Sequence, residues 1–208
     1  MAGLGADAGP FLVRVLRLDP ASVVRLRPAK GAVILWSRLP FGVLVSRGVP
    51  GEVSADVTVR AEALLRSLEA GGPLPAGRDA DWRWPLPPAN LRTVEVLPAA
   101  EIARVSAAAA DTIRTASTEG VGGRAVGSRA LRDALLDHVP IVVETDEGER
   151  FQVPQRLVQA VTRMGFLPAT PVGDRAGDRG VEVRAGGPWV GLAAPFGSAW
   201  YRPPLLLH

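Results

Sequence analysis

Gly120, Gly122, Gly123, Arg124, Gly127, Ser128 and Arg129 are the residues whose types and spacing come nearest to anion chemistry. A glycine-rich loop that opens a helix presents backbone N–H groups at the helix N-terminus, where guanidiniums add charge for a phosphate or carboxylate. Gly122, Gly123, Arg124, Ser128 and Arg129 would make that contact. The spacing is neither a P-loop nor a dinucleotide fingerprint, and no strand feeds directly into it. The competing reading is a simple connection between two helices.

A second set is basic. Arg14, Arg25, Arg27 and Lys30, with Arg17 nearby, fall on what read as neighbouring strands, and Trp36 could stack on a base beside them. That would be a nucleic-acid face; its alternative is a solvated outer sheet face. Asp133 and Asp137 lie four apart on one side of a helix, but His138 projects about 100° further round than Asp137, so the three do not converge as an acid–base set. Glu144, Asp146, Glu147 and Glu149 surround a hairpin tip without EF-hand spacing and read as a solvated turn. Five tryptophans against one tyrosine and five phenylalanines weight the aromatics toward groove filling.

Composition narrows the classes. With 47% hydrophobic and 22% charged residues the chain belongs to globular rather than disordered sequences. Its 208 residues suffice for one large domain or two small ones sharing a core. The absence of cysteine excludes disulfides, thiolate metal sites and a thiol nucleophile, and the two histidines, His138 and His208, are too few and too far apart for a histidine-rich metal site. No metal, no cofactor and no catalytic residue is expected. Residues 1–50 carry seven basic and two acidic side chains, yet the whole chain is only +3, less concentrated than nucleic-acid proteins usually are. No apolar run has transmembrane length and the N-terminus does not read as a signal peptide, so no membrane role and a cytoplasmic location are expected.

The elements that would position these residues follow from periodicity. Phe11–Leu18, Val23–Arg27, Val33–Arg38, Val43–Ser46 and Val53–Val59 read as strands, the last running into a helix over Ala61–Leu68. Residues 71–90 are rich in Pro and Gly and hold Trp82 and Trp84. A free linker rarely carries two tryptophans, so this connection is expected to lie pinned on one half. Thr93–Leu97 is a strand opening a helix to about Ala116. Arg129–His138 is a helix, Ile141–Thr145 and Glu149–Val153 a hairpin, and Pro154–Gly165 a helix. Val181–Arg184, Trp189–Ala194 and Ala199–Arg202 form a final meander, and Leu205–Leu207 is an apolar tail.

The fold class is therefore α+β, antiparallel β-meanders with packed helices. Residues 1–90 form a β-rich unit ending in a short helix and the Pro/Trp-rich connection, and residues 91–208 an α/β unit. Residues 43–68 and 141–164 both read as strand, turn, strand, helix, which suggests a pseudo-two-fold internal repeat.

The pattern of Val33–Arg38, Trp82-Arg83-Trp84-Pro85, Gly122-Gly123-Arg124 before Leu131–His138, Val153–Ala160 and Trp189-Val190-Gly191-Leu192 resembles conserved actinobacteria-specific proteins of unknown function. The resemblance spans nearly the whole chain. It implies a cytoplasmic mixed α/β protein with no established activity and no catalytic residues to carry over. A non-enzymatic protein acting through protein contacts is the first reading, with an unidentified protein partner and homodimer formation in view. Nucleic-acid binding through the N-terminal strands is the alternative. An enzyme acting on an anionic small molecule at the Gly loop stands last, because no nucleophile or acid–base pair is visible.

Overall fold

The computed structural model describes residues 4–5, 7–119, 128–168 and 180–203. The chain divides into two compact units, Met1–Pro88 with Gly197–Ala199, and Ala89–Phe196 with Trp200–His208. Helices and antiparallel strands contribute comparably, in keeping with the α+β expectation.

Unit 1 begins with helix α1, Ala8–Leu18, where the sequence suggested a strand from Phe11. A strand would bury every second residue. Here Ala8, Phe11, Leu12 and Val15 are buried, the three-to-four spacing of a helical stripe. Pro10 fits because its missing N–H falls in the first turn, where no intrahelical partner exists. Strands β1 (Val23–Ala29), β2 (Ala32–Arg38), β3 (Leu44–Pro50) and β4 (Val57–Arg60) follow, and helix α2, Ala61–Glu69, starts without a connecting residue.

β2 lies between β1 and β3, whereas β4 pairs with β1, giving the order β4-β1-β2-β3. Residues 43–68 therefore contain no hairpin; β3 and β4 each pair elsewhere. The predicted strand over Val53–Val59 shrinks to β4, since residues 51–56 follow Pro50 and carry no regular structure. Register sorts the two sheet faces. Val24 opposes Val59, and Leu26 opposes Leu35, so these share the inner face. All four are fully buried, as are Phe11, Leu12 and Val15. Burying side chains of this size stabilises by about 1.5–3 kcal/mol each. Arg47, opposite Leu35 on that same face, pairs with Asp7 just before α1, at 3.0 Å.

Unit 2 holds β5 (Arg92–Leu97), α3 (Ala99–Glu119), α4 (Ser128–Asp137), β6 (Ile141–Glu144), β7 (Arg150–Val153), α5 (Gln155–Arg163), β8 (Val181–Gly186), β9 (Trp189–Ala194) and β10 (Gly197–Tyr201), whose residues are divided between the units. β6 and β7 form a separate hairpin; β5, β8 and β9 run antiparallel in that order, with an irregularity between Thr93 and Glu95. In α5, Leu157, Val158, Ala160 and Val161 are fully buried, and so are Val181, Val183 and Leu192 of the strands. Gly165 closes α5 at φ +62, a conformation glycine adopts freely, and the Phe166 N–H then donates to the Val161 carbonyl at 2.9 Å. Gly180 is required for space: a Cβ there would lie 2.5 Å from Val96 Cγ1 and 2.9 Å from the Leu97 oxygen. The tail 205–207 lies outside the described residues. No helix among the described residues is long and apolar enough to cross a membrane.

Candidate interaction site

The outer face of the unit 1 sheet brings together the most chemistry among the residues singled out from sequence. Strand alternation turns Arg25 and Arg27 away from the core that receives Val24 and Leu26. Trp36 stands opposite Arg25 in the β1–β2 register, and Arg38 follows two residues later on that face. Lys30 is exposed in the turn between these strands. Arg14 does not join them. It lies on α1, not on a neighbouring strand, and donates back to the Pro10 carbonyl at 3.2 Å.

Arg25 and Arg27 share one acid. Arg25 holds Asp56 in a fork, Nε to Oδ1 at 2.7 Å and Nη2 to Oδ2 at 2.9 Å, while Arg27 Nε lies 3.1 Å from Oδ2. The Arg25 hydrogen bonds, against some desolvation, hold the Asp56 carboxyl below the usual carboxylate range, with the charges of Arg25 and Arg27 acting the same way. The same contact raises Arg25 above its ordinary value. Asp56 thus removes one unit of charge from a face whose sequence suggested an unopposed basic patch.

The Pro/Trp-rich connection lies on this face as a strap. The Arg25 guanidinium is 5.7 Å from the Trp82 ring centre and that of Arg38 is 5.1 Å from Trp84, both within cation–π reach. The two indoles meet edge to face at 5.5 Å, and Trp82 Nε1 donates to the Trp84 carbonyl at 2.7 Å. The strap also caps the β4 edge: Arg78 N donates to the Thr58 carbonyl at 2.6 Å, and Asp79 Oδ1 accepts from the Thr58 N–H at 2.6 Å. A sheet edge otherwise exposes a row of unpaired backbone groups. The tryptophans were legible as anchors; Arg38 under Trp84, Asp56 beside Arg25 and Asp79 at Thr58 were missed. The one available signal was the i, i+2 spacing of two indoles in a connection that leads on from a strand edge.

The remaining candidates separate. Gly122, Gly123 and Arg124 lie outside the described residues, and Ser128 and Arg129 are described only as the first two residues of α4. Asp137 pairs with Arg156, and the His138 carbonyl accepts from the Gln155 N–H at 2.8 Å, so that helix end is used in packing against α5. At the acidic hairpin Glu144 pairs with Arg150 and Glu149 with Arg92. Among the described residues no three His, Asp or Glu side chains gather as a metal site.

Residues 86–206 match the family described as Domain of unknown function (DUF8185), more than half of the chain. The chain belongs to that family. Residues 2–86 match a second family model, Domain of unknown function (DUF8010). No curated protein matches the sequence.

Solved structures supply a fold. The chain is similar to the DNA polymerase III beta subunit of Thermotoga maritima, with TM-score 0.56 and 11% identity over 97% of this chain and 63% of that one. For Caulobacter crescentus pol III beta the values are 0.55 and 14%, over 97% and 64%. For the beta subunit of the Streptococcus pyogenes DNA polymerase they are 0.57 and 13%, over 97% and 64%. A further Caulobacter crescentus structure in the group is described as a DNA polymerase sliding clamp. The chain spans a little under two thirds of the length of these proteins. At such identity the likeness establishes a sliding-clamp-like fold and nothing further.

Proposed function

We propose that this chain is a non-enzymatic binding protein that acts through protein contacts, using a clamp-like scaffold. The observation that carries this reading is the fold likeness over 97% of the chain to proteins described as a DNA polymerase subunit and a sliding clamp, both of them roles in assembly. The strapped outer face of unit 1 supports it, because aromatic and arginine side chains held rigidly together lose little freedom when a partner docks. Self-association as a homodimer belongs to the same reading, as does a cytoplasmic location. So does the division into residues 1–90 and 91–208. A pseudo-two-fold internal repeat also belongs to this reading. Affinity purification of the full chain from its source cells at moderate salt tests the reading. A stoichiometric protein partner is expected. Recovery of the chain alone under every condition overturns it.

One observation favours a second reading. Arg25, Arg27 and Trp36 share an outward sheet face with Lys30 at its turn, and the solved relatives are described as DNA polymerase components. On this reading the face binds nucleic acid. Binding should fall steeply between about 50 and 200 mM salt and weaken in Arg27→Ala with Lys30→Ala. The enzyme reading at residues 122–129 gains no support from the described residues.

A further inference from the structure

Beside the strap, and still within unit 1, is a pocket of about 370 Å³ lined by Arg38, Arg60, Arg83, Trp84, Asp19 and Asp81 together with residues 21–23. Its chemistry is unusual for a surface hollow. Three guanidiniums reach it, and none of them forms an ion pair among the described residues. Arg60 donates only to the Ala21 carbonyl, at 3.0 Å. Arg38 is held over Trp84. Of the two carboxylates in the lining, Asp19 Oδ1 accepts from the Ala21 N–H at 2.9 Å, and Asp81 Oδ2 pairs with Arg78 Nε at 2.7 Å. Three guanidiniums against two carboxylates leave the lining net positive by one charge. Ser22 lines the same pocket, and its buried hydroxyl oxygen has no hydrogen-bond partner among the described residues.

Guanidiniums gathered in excess of carboxylates repel, and an anion relieves that repulsion. Guanidiniums suit a phosphate because their planar forks donate two parallel hydrogen bonds to its oxygens. Trp84 adds an apolar wall, and the volume falls in the range of small-molecule clefts. We propose that this pocket binds a small organic phosphate monoester, with Arg60 and Arg83 on the phosphate and Trp84 against the organic part. The site is distinct from the Gly loop at residues 122–129. It stands whether the protein acts on protein partners or on nucleic acid.

Calorimetric titration of the full chain at about 50 mM salt, where surface charge is weakly screened, tests this with two probes, inorganic phosphate and adenosine monophosphate. Saturable binding of both is expected, with the ester several-fold tighter because Trp84 contributes only there. Binding of phosphate with no gain for the ester removes the monoester assignment and leaves a free-anion site. Arg83→Gln should weaken both probes about tenfold, the effect of losing one charge-assisted contact, while Arg17→Gln on α1 should change neither. Arg83 makes no bond to the protein among the described residues, so its variant should keep the native melting temperature, which separates lost binding from lost folding. Absence of saturable binding to either probe, or undiminished binding in Arg83→Gln, overturns the proposal.

Discussion

Unit 1 and unit 2 order their helices and strands differently along the chain. In unit 1 the helix-and-meander α1-β1-β2-β3 comes first, and the edge strand β4, paired with β1, runs straight into α2. In unit 2 the edge strand β5, paired with β8, leads into α3 before the helix-and-meander α5-β8-β9-β10 begins. Their edges are protected differently. β4 is capped by the strap through Thr58, whereas β5 protects itself with charged residues, an irregular register at Thr93–Glu95 and a Glu95 carboxylate that accepts from the Val96 N–H at 2.7 Å. Edge strands need such devices to avoid pairing with other chains. The lesson is that a connecting segment can protect a sheet edge in one unit as side chains and irregular register do in the other.

That comparison can be broken most forcefully in the cores. Leu26→Ala in unit 1 and Leu157→Ala in unit 2 each remove a fully buried side chain. Each should cost about 2–5 kcal/mol in denaturant unfolding. A cost below about 1 kcal/mol in either would mean that its sheet face is not a packed core. Gly180→Ala should be next, at about 1–3 kcal/mol, since its Cβ has no room beside Val96 and Leu97. Gly9→Ala on α1, where a Cβ meets nothing within 4 Å, should instead be neutral or mildly stabilising.

The edges give a sharper contrast. Asp79→Ala leaves the Thr58 N–H without its acceptor on a nearly fully buried residue. It should cost about 1–3 kcal/mol and speed hydrogen exchange at Thr58. Glu95→Ala, on an exposed strand, should cost well under about 1 kcal/mol. Equal effects at both positions would remove the distinction between a strapped and a self-protected edge.

The smallest effect concerns Asp56. Its folded carboxyl titrates below its ordinary value of about 3.9, so the unfolded chain takes up the proton first as pH falls. The stabilisation is complete above the unfolded value and is lost as pH drops through the folded one. Because both partners are substantially solvated, Asp56→Asn should cost less than about 1 kcal/mol at neutral pH. It should also flatten the acid limb of the stability curve below about pH 4. An unchanged acid limb would show that the Arg25–Asp56–Arg27 cluster does not form in solution.

Most elements were legible because alternation and helical spacing report burial directly: Val24 with Leu26 in β1, and Leu157 with Val158 and Val161 in α5. α1 was misread because Phe11, Val13 and Val15 alternate as a strand would, and only the burial of Leu12 rather than Val13 decides for a helix. The repeat drawn from residues 43–68 and 141–164 matched local patterns, but strand pairing is non-local, and β4 pairs back to β1 across more than thirty intervening residues. The site was half legible for the same reason. Arg25, Arg27 and Trp36 share a face by simple alternation, whereas Asp56 and the strap reach that face only through tertiary folding.

Purification of the full chain from its source cells, read alongside DNA-binding anisotropy at about 50 and 200 mM salt, tests the central claim most directly. The account predicts a protein partner retained at the higher salt, with no steep salt-dependent DNA affinity. A chain recovered alone, with DNA affinity that collapses over that salt range, would contradict it and turn the strapped face into a nucleic-acid surface.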